Sequence, residues 1–224
     1  MKGEGTKTKS DATRGRILEA ALELFRDRGF EATTMREIAA AAGVATGAAY
    51  YYFDSKDAIV LAFYDQAQKE MADRMEEVLA GSRDLTERLR GILQVKLDYF
   101  EPSRGFLGAL SVHTDPRHPL SPFSAQTREI RENDMRFFER AIEGSRVRVP
   151  EDLQAYLPRL LWMYQMGVIL FWIHDASAGQ KKTRALMGKS LDVVVRLIKL
   201  AGLPLTKPLR KIVIELVDTV TEDV

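Results

Sequence analysis

The sequence contains no cysteine, which excludes disulfides and thiolate metal sites and fits a cytoplasmic setting. It also lacks a long apolar run. Its most apolar stretch, residues 160–173, is interrupted by Gln165 and directly follows Arg159, and it is shorter than the ~20 residues a bilayer demands. The opening MKGEGTKTKSDATRGR has no apolar core and does not read as a secretory signal. An excess of one charge is missing as well. With 33 Lys and Arg against 32 Asp and Glu, the net charge is +1, so any nucleic-acid footprint must be local. No segment alternates like a strand, and none repeats another. What remains is 224 residues of ordinary apolar and charged content, enough for a small module plus a larger domain with its own core.

The periodicity is helical throughout. Residues 1–12, rich in Lys, Gly, Ser and Thr, read as a flexible basic arm. Lys2, Lys7 and Lys9, followed by Arg14 and Arg16, suit either a solvated tail or an arm that contacts phosphates. From Thr13 a helix places Ile17, Ala21, Leu24 and Phe25 on one face and closes at Gly29. Thr34 with Glu37 three residues later is a capping-box pattern, and Gly43 ends the short helix that follows. Ser55 opens a long helix carrying Ile59, Phe63, Ala67, Met71, Met75 and Val78, which stops near Gly81. Further helices are predicted over residues 85–100, 123–142, 152–175, 182–201 and 209–220. A short apolar piece spans 106–112, and the proline-rich HTDPRHPLSP is a loop.

The densest information lies in residues 33–56, TTMREIAAAAGVATGAAYYYFDSK. Two short helices joined by a glycine turn form the helix-turn-helix design, whose second helix lies in the DNA major groove. With ILEAALELFRDRGFEATTMREIAAAAGV and the YYFDSKDAI junction into a long helix, residues 14–61 resemble the DNA-binding domain of the TetR (tetracycline-repressor) family. The resemblance implies an all-α fold. A three-helix helix-turn-helix DNA-binding domain (13–54) would join a larger helical regulatory, ligand-binding and dimerisation domain (55–224). It further implies a homodimeric repressor, released from double-stranded operator DNA by a small, largely apolar effector of unknown identity. Cofactor, metal, membrane and catalysis are not expected.

The same resemblance assigns roles. Thr34 caps the helix that crosses the phosphate backbone, and Arg36 is similar to positions that reach a phosphate or the groove edge. Lys56 resembles the family lysine that meets a phosphate. The third helix, residues 46–52, offers Thr46, Gly47, Ala48 and Tyr51 to base edges, while Tyr50 and Tyr52 resemble phosphate-contacting or packing aromatics. Many members carry Ser at the position of Ala45 and Thr at that of Ala48, so Thr46 is expected to cap in place of Ala45. The alanines shift sequence reading toward thymine methyls and DNA shape.

For the larger domain, the pocket candidates are Phe100, Phe106, Leu110, His113, Phe137, Trp162, Gln165, Met166, Ile169 and His174, with ordinary core as the competing reading for the apolar ones. Gln165 is the most telling, since a buried amide needs a partner from a ligand or a neighbouring helix. The helix over 153–175 is apolar nearly all round and must be covered on more than one side. Leu157, Leu161, Val168 and Trp172, with Leu191, Val194, Val195 and Ile198, are the expected two-fold four-helix interface. His113, Asp115 and His118 invite a metal reading, but a solvated loop is preferred. A helical enzyme finds no nucleophile–base pair or phosphate-binding glycine loop, and a protein-only adaptor is disfavoured by the basic arm and Lys56.

Overall fold

The computed structural model describes residues 9–221, and every regular element among them is helical. Helix α1 (Lys9–Arg28) starts earlier than expected from Thr13. Asp11 in its first turn suits the positive end of the helix dipole, and the Thr13 hydroxyl donates to the Lys9 carbonyl at 3.0 Å. Residues 9–12 of the anticipated arm are therefore helix; residues 1–8 lie outside the described residues. Gly29 closes α1 with φ +89, a conformation that penalises any side chain, and its N–H donates to the Phe25 carbonyl at 3.1 Å.

Helix α2 (Met35–Ala41) begins in a complete capping box: Thr34 Oγ1 accepts from Glu37 N–H at 3.3 Å, and Thr34 N–H donates to the Glu37 carboxylate at 2.8 Å. Gly43, at φ +65, turns the chain into α3 (Thr46–Tyr52). Ser55 caps α4 (Lys56–Gly81) by accepting from Ala58 N–H at 3.1 Å, and α5 (Leu85–Phe100) returns alongside it. A 3₁₀ turn then leads into α6 (Arg104–Leu110).

Two helices depart from the periodic pattern. The helix expected over 123–142 is α7 (Arg128–Glu143), because residues before it form successive turns held by their own hydroxyls. Ser124 Oγ donates to the Pro119 carbonyl at 2.9 Å and Thr127 Oγ1 to the Ser121 carbonyl at 2.7 Å, a local alternative to the helix ladder. The helix expected over 152–175 divides into the single turn α8 (Glu151–Gln154) and α9 (Leu157–His174), with Pro158 in the first turn of α9, where its missing N–H does no harm. Helices α10 (Lys181–Ala201) and α11 (Lys207–Thr221) complete the chain.

Helices α4, α5, α7, α9 and α10 enclose the larger core, with Leu89, Ile92, Leu93, Phe138, Leu161 and Leu191 essentially out of water. An aromatic joint links it to the first three helices. Phe25 of α1 stacks on Phe106 of α6 with ring centroids 5.2 Å apart, and Phe63 of α4 lies 6.1 Å from Phe106 and 5.8 Å from Phe100. No helix among the described residues is long and apolar enough to cross a membrane.

Candidate nucleic-acid interface and regulatory core

The helix-turn-helix unit owes its shape to small apolar residues. Ile38, Ala39 and Ala49 are buried between α1, α2 and α3, and only short side chains let the helices approach so closely. What remains outside is the set expected to face DNA. Thr34, Arg36, Thr46, Gly47, Tyr50 and Tyr51 are exposed, Tyr51 at 83%, while Ala48, Tyr52 and Lys56 are half-buried. Tyr52 is drawn toward α1, where its hydroxyl accepts from Ser10 Oγ at 3.3 Å and its ring meets Tyr51 edge-on. Arg14 covers the Phe53 ring at 4.7 Å. Ser10 was not anticipated, because the arm hid the start of α1.

Two expectations change here. The N-cap of α3 is Ala45 and has no side-chain hydrogen bond; Thr46 is already the first helical residue and does not replace it. The Thr46 and Gly47 amides are thus left for water or a phosphate, while the Ala48 N–H donates to the Ala45 carbonyl at 2.9 Å. The Lys56 ammonium, in turn, donates to the Phe30 carbonyl at 2.6 Å and the Glu31 carbonyl at 3.4 Å and lies 4.5 Å above the Phe30 ring. It clamps the α1–α2 corner onto α4 whatever else it touches.

The pocket candidates do not converge on one cavity. Phe100 and Phe106 belong to the aromatic joint. His113 stacks on His118 at 3.9 Å with Nε2 buried and unpartnered, while Asp115 is held by Arg117 at 2.6 Å; that contact keeps its carboxyl low, at about 2. Trp162 meets Phe123 edge-on at 5.6 Å, under the Arg131 guanidinium. Leu110 is core, and Phe137, Met166 and Ile169 pack half-buried against it. His174 faces the opposite way, lining an outer cavity of about 700 Å³ with Leu170, Phe171 and Lys182. Nine residues at ~100° each put it half a turn from Gln165.

Gln165 is fully buried, as anticipated, and its partner is a helix. Its Nε2 donates to Asp134 Oδ2 at 3.0 Å, and Lys96 Nζ meets Asp134 Oδ1 at 2.6 Å. Gln68 of α4 donates to the Ile130 carbonyl at 2.7 Å and to Asp134 Oδ1 at 3.3 Å, and accepts from Asn133 at 2.9 Å. This polar clamp joins α4, α5, α7 and α9 inside the core. Gln165 Oε1 alone has no donor. In the sequence Asp134 and Lys96 look like any other helix charges. The available signal was phase: Arg131, Asp134, Phe138 and Ala141 share the buried face of α7 at spacings of three and four.

The expected dimer set is also corrected. Leu157, Leu161, Val168, Trp172, Leu191, Val195 and Ile198 are buried in the chain's own core, and Val194 is half-buried. The Trp172 indole donates to Glu101 at 3.2 Å, and Arg104 caps the carbonyls at the end of α9. The free apolar face is the opposite one: Met163, Leu170 and Phe171 on α9, with Leu186, Val193, Leu197 and Leu200 on α10. Periodicity identifies a face but not which of two partners it meets.

Residues 17–63 of the chain match the model described as bacterial regulatory proteins, tetR family, and residues 88–218 match the tetracyclin repressor-like C-terminal domain. Over 103 residues it is 34% identical to the HTH-type transcriptional activator FasR of Mycolicibacterium smegmatis, covering 46% of this chain and 47% of that protein. Over 102 residues it is 29% identical to the HTH-type transcriptional repressor KstR2 of Rhodococcus jostii, covering 46% and 48%. Each match thus spans about half the length of the curated relative. The crystal structure of Thermus thermophilus FadR, a TetR-family repressor in complex with lauroyl-CoA, superposes with a TM-score of 0.59 at 25% identity, covering 85% of this chain and 95% of that one.

Proposed function

Since models of both its N-terminal and C-terminal parts match, the chain belongs to the tetR family of bacterial regulatory proteins, and on that premise we propose that it is a ligand-responsive DNA-binding repressor acting as a homodimer. The observation that carries this reading is the capped α2–turn–α3 unit, with its amides and hydroxyls left outward around Tyr51. Residues 13–54 hold the DNA and residues 55–224 govern them. Thr34, Arg36 and the α3 N-terminus meet phosphates, with Lys56 holding the corner beneath them; Thr46, Gly47, Ala48 and Tyr51 face the bases.

The outer face of α9 and α10 joins two copies, so that paired α3 helices lie about one turn of DNA apart. The effector is a small, largely apolar molecule that enters beside Trp162, Gln165, Met166 and Ile169 and offers a donor to Gln165 Oε1. The lauroyl-CoA complex of Thermus thermophilus FadR supports an effector with an apolar chain. Because Gln68 ties α4 to the same clamp, an effector there changes the path of the helix that carries the DNA-binding unit. The test is a mobility-shift titration with DNA from upstream of its own gene, with lauroyl-CoA as probe. Salt-sensitive retention that weakens on adding lauroyl-CoA is expected. Absence of salt-sensitive retention would falsify DNA regulation; retention indifferent to lauroyl-CoA rejects the acyl-type effector alone.

A further inference from the structure

At the end of α4 away from the helix-turn-helix unit, roughly 39 Å along its 26 residues, the chain forms a second site of a different chemical character. The α4–α5 turn, the α7–α8 connection and the C-terminal end of α10 enclose an open cavity of about 480 Å³. That volume lies within the ~300–1,000 Å³ range of small-molecule sites. Its rim carries Arg83, Arg146, Arg148 and Lys199, against the single carboxylate of Asp84. Four positive charges and one negative leave a local excess of +3 in a chain whose total is +1. Among the described residues none of the four side chains has an ion-pair or hydrogen-bond partner. The Asp84 carboxylate is already engaged, accepting from Glu87 N–H at 3.1 Å as the cap of α5.

One turn along α5 lies Arg88, 6% exposed. Its guanidinium donates only to carbonyls, those of Leu79 at 2.6 Å, Ser82 at 2.8 Å and Arg140 at 2.8 Å, and Nε has no partner. It is a buried cation without a carboxylate, and burial, with Arg140 and Arg83 nearby, pulls its pKa down. Like charges gathered around a concavity repel one another unless an anion sits among them. The cavity also has an apolar side, formed by half-buried Val147 and exposed Leu203.

We propose that this cavity binds a small phosphorylated molecule, with its phosphate groups on Arg83, Arg146, Arg148 and Lys199 and its apolar part on Val147 and Leu203. Guanidinium forks match phosphate oxygens two at a time, and the concave shape suits a small molecule better than a protein face. The site is separate from the DNA-reading surface and does not depend on it.

Calorimetric titration of the full chain with inorganic pyrophosphate at low ionic strength tests the assignment. Because a helix-turn-helix surface also attracts phosphate, the paired variants are Arg146→Ala with Arg148→Ala, and separately Arg36→Ala. One pyrophosphate per chain is expected, weakened about tenfold or more by the double substitution and within about twofold of wild type in Arg36→Ala. All three arginines are exposed, so circular dichroism should show unchanged melting, and the double Lys variant should recover part of the affinity. Loss of binding in Arg36→Ala instead, or equal affinity in the double Ala variant, overturns the proposal. So does a failure of pyrophosphate to bind accompanied by a changed sedimentation coefficient in the double variant, which would make the cavity a protein interface.

Discussion

Helix α3 and the outer face of α9 and α10 both leave large apolar side chains in water, but the side chains differ in kind. On α3 they are Tyr50 and Tyr51, rings with a hydroxyl at the tip. On α9 and α10 they are Met163, Leu170, Phe171, Val193, Leu197 and Leu200, which have no strong donor or acceptor. A hydroxyl-tipped ring suits a surface that stays wet and studded with acceptors, as phosphates and base edges are. Bare aliphatic groups gain only from an apolar partner, and the spacing of Val193, Leu197 and Leu200 is that of a helix seam. On the proposed function, the atoms at the tips separate a wet, DNA-facing surface from a dry helix seam.

Charge tests that contrast most severely. Val193→Glu combined with Leu197→Glu should convert a dimer to monomers in sedimentation velocity and lower operator affinity about 100-fold, since a monomer holds only one half-site. A dimer that survives both carboxylates would move the interface elsewhere. Tyr51→Ala should leave thermal stability within about 0.5 kcal/mol, since the ring is largely exposed, yet weaken operator binding about tenfold in a sequence-dependent way. An equal loss on every DNA sequence would place Tyr51 on a phosphate and erase half of the contrast. The smallest effect belongs to the scaffold. Thr34→Ala removes the cap of α2 and should cost about 1 kcal/mol, read as a few degrees in Tm. An unchanged Tm would mean that water caps α2 equally well.

Much of the DNA-facing unit was legible because its determinants are local. Thr34 and Glu37 are three residues apart, Gly29 and Gly43 sit where the backbone needs positive φ, and Ser55 caps the helix it begins. In the larger domain the helices were legible within a few residues at most of their ends, but their faces were not. Leu161, Val168, Leu191 and Val195 were expected at a dimer interface and lie in the chain's own core, and Asp134 and Lys96, ordinary helix charges by sequence, form a buried pair. Pro158 marks the α8–α9 break, and the hydroxyls of Ser124 and Thr127 mark the late start of α7.

The residue order was sufficient for the all-helical class, the helix-turn-helix unit and the family, because caps, turns and the 3.6-residue period act within a few neighbours along the chain. Only the tertiary structure decided which side of α9 is core, how α4, α5, α7 and α9 share one carboxylate, what the Lys56 ammonium clamps, and that cations from three distant segments line one cavity. Those outcomes depend on partners tens of residues away. An apolar stripe or a charge on a helix is chemically the same whether it meets the chain's own core, another molecule or water, until packing brings its neighbour into place.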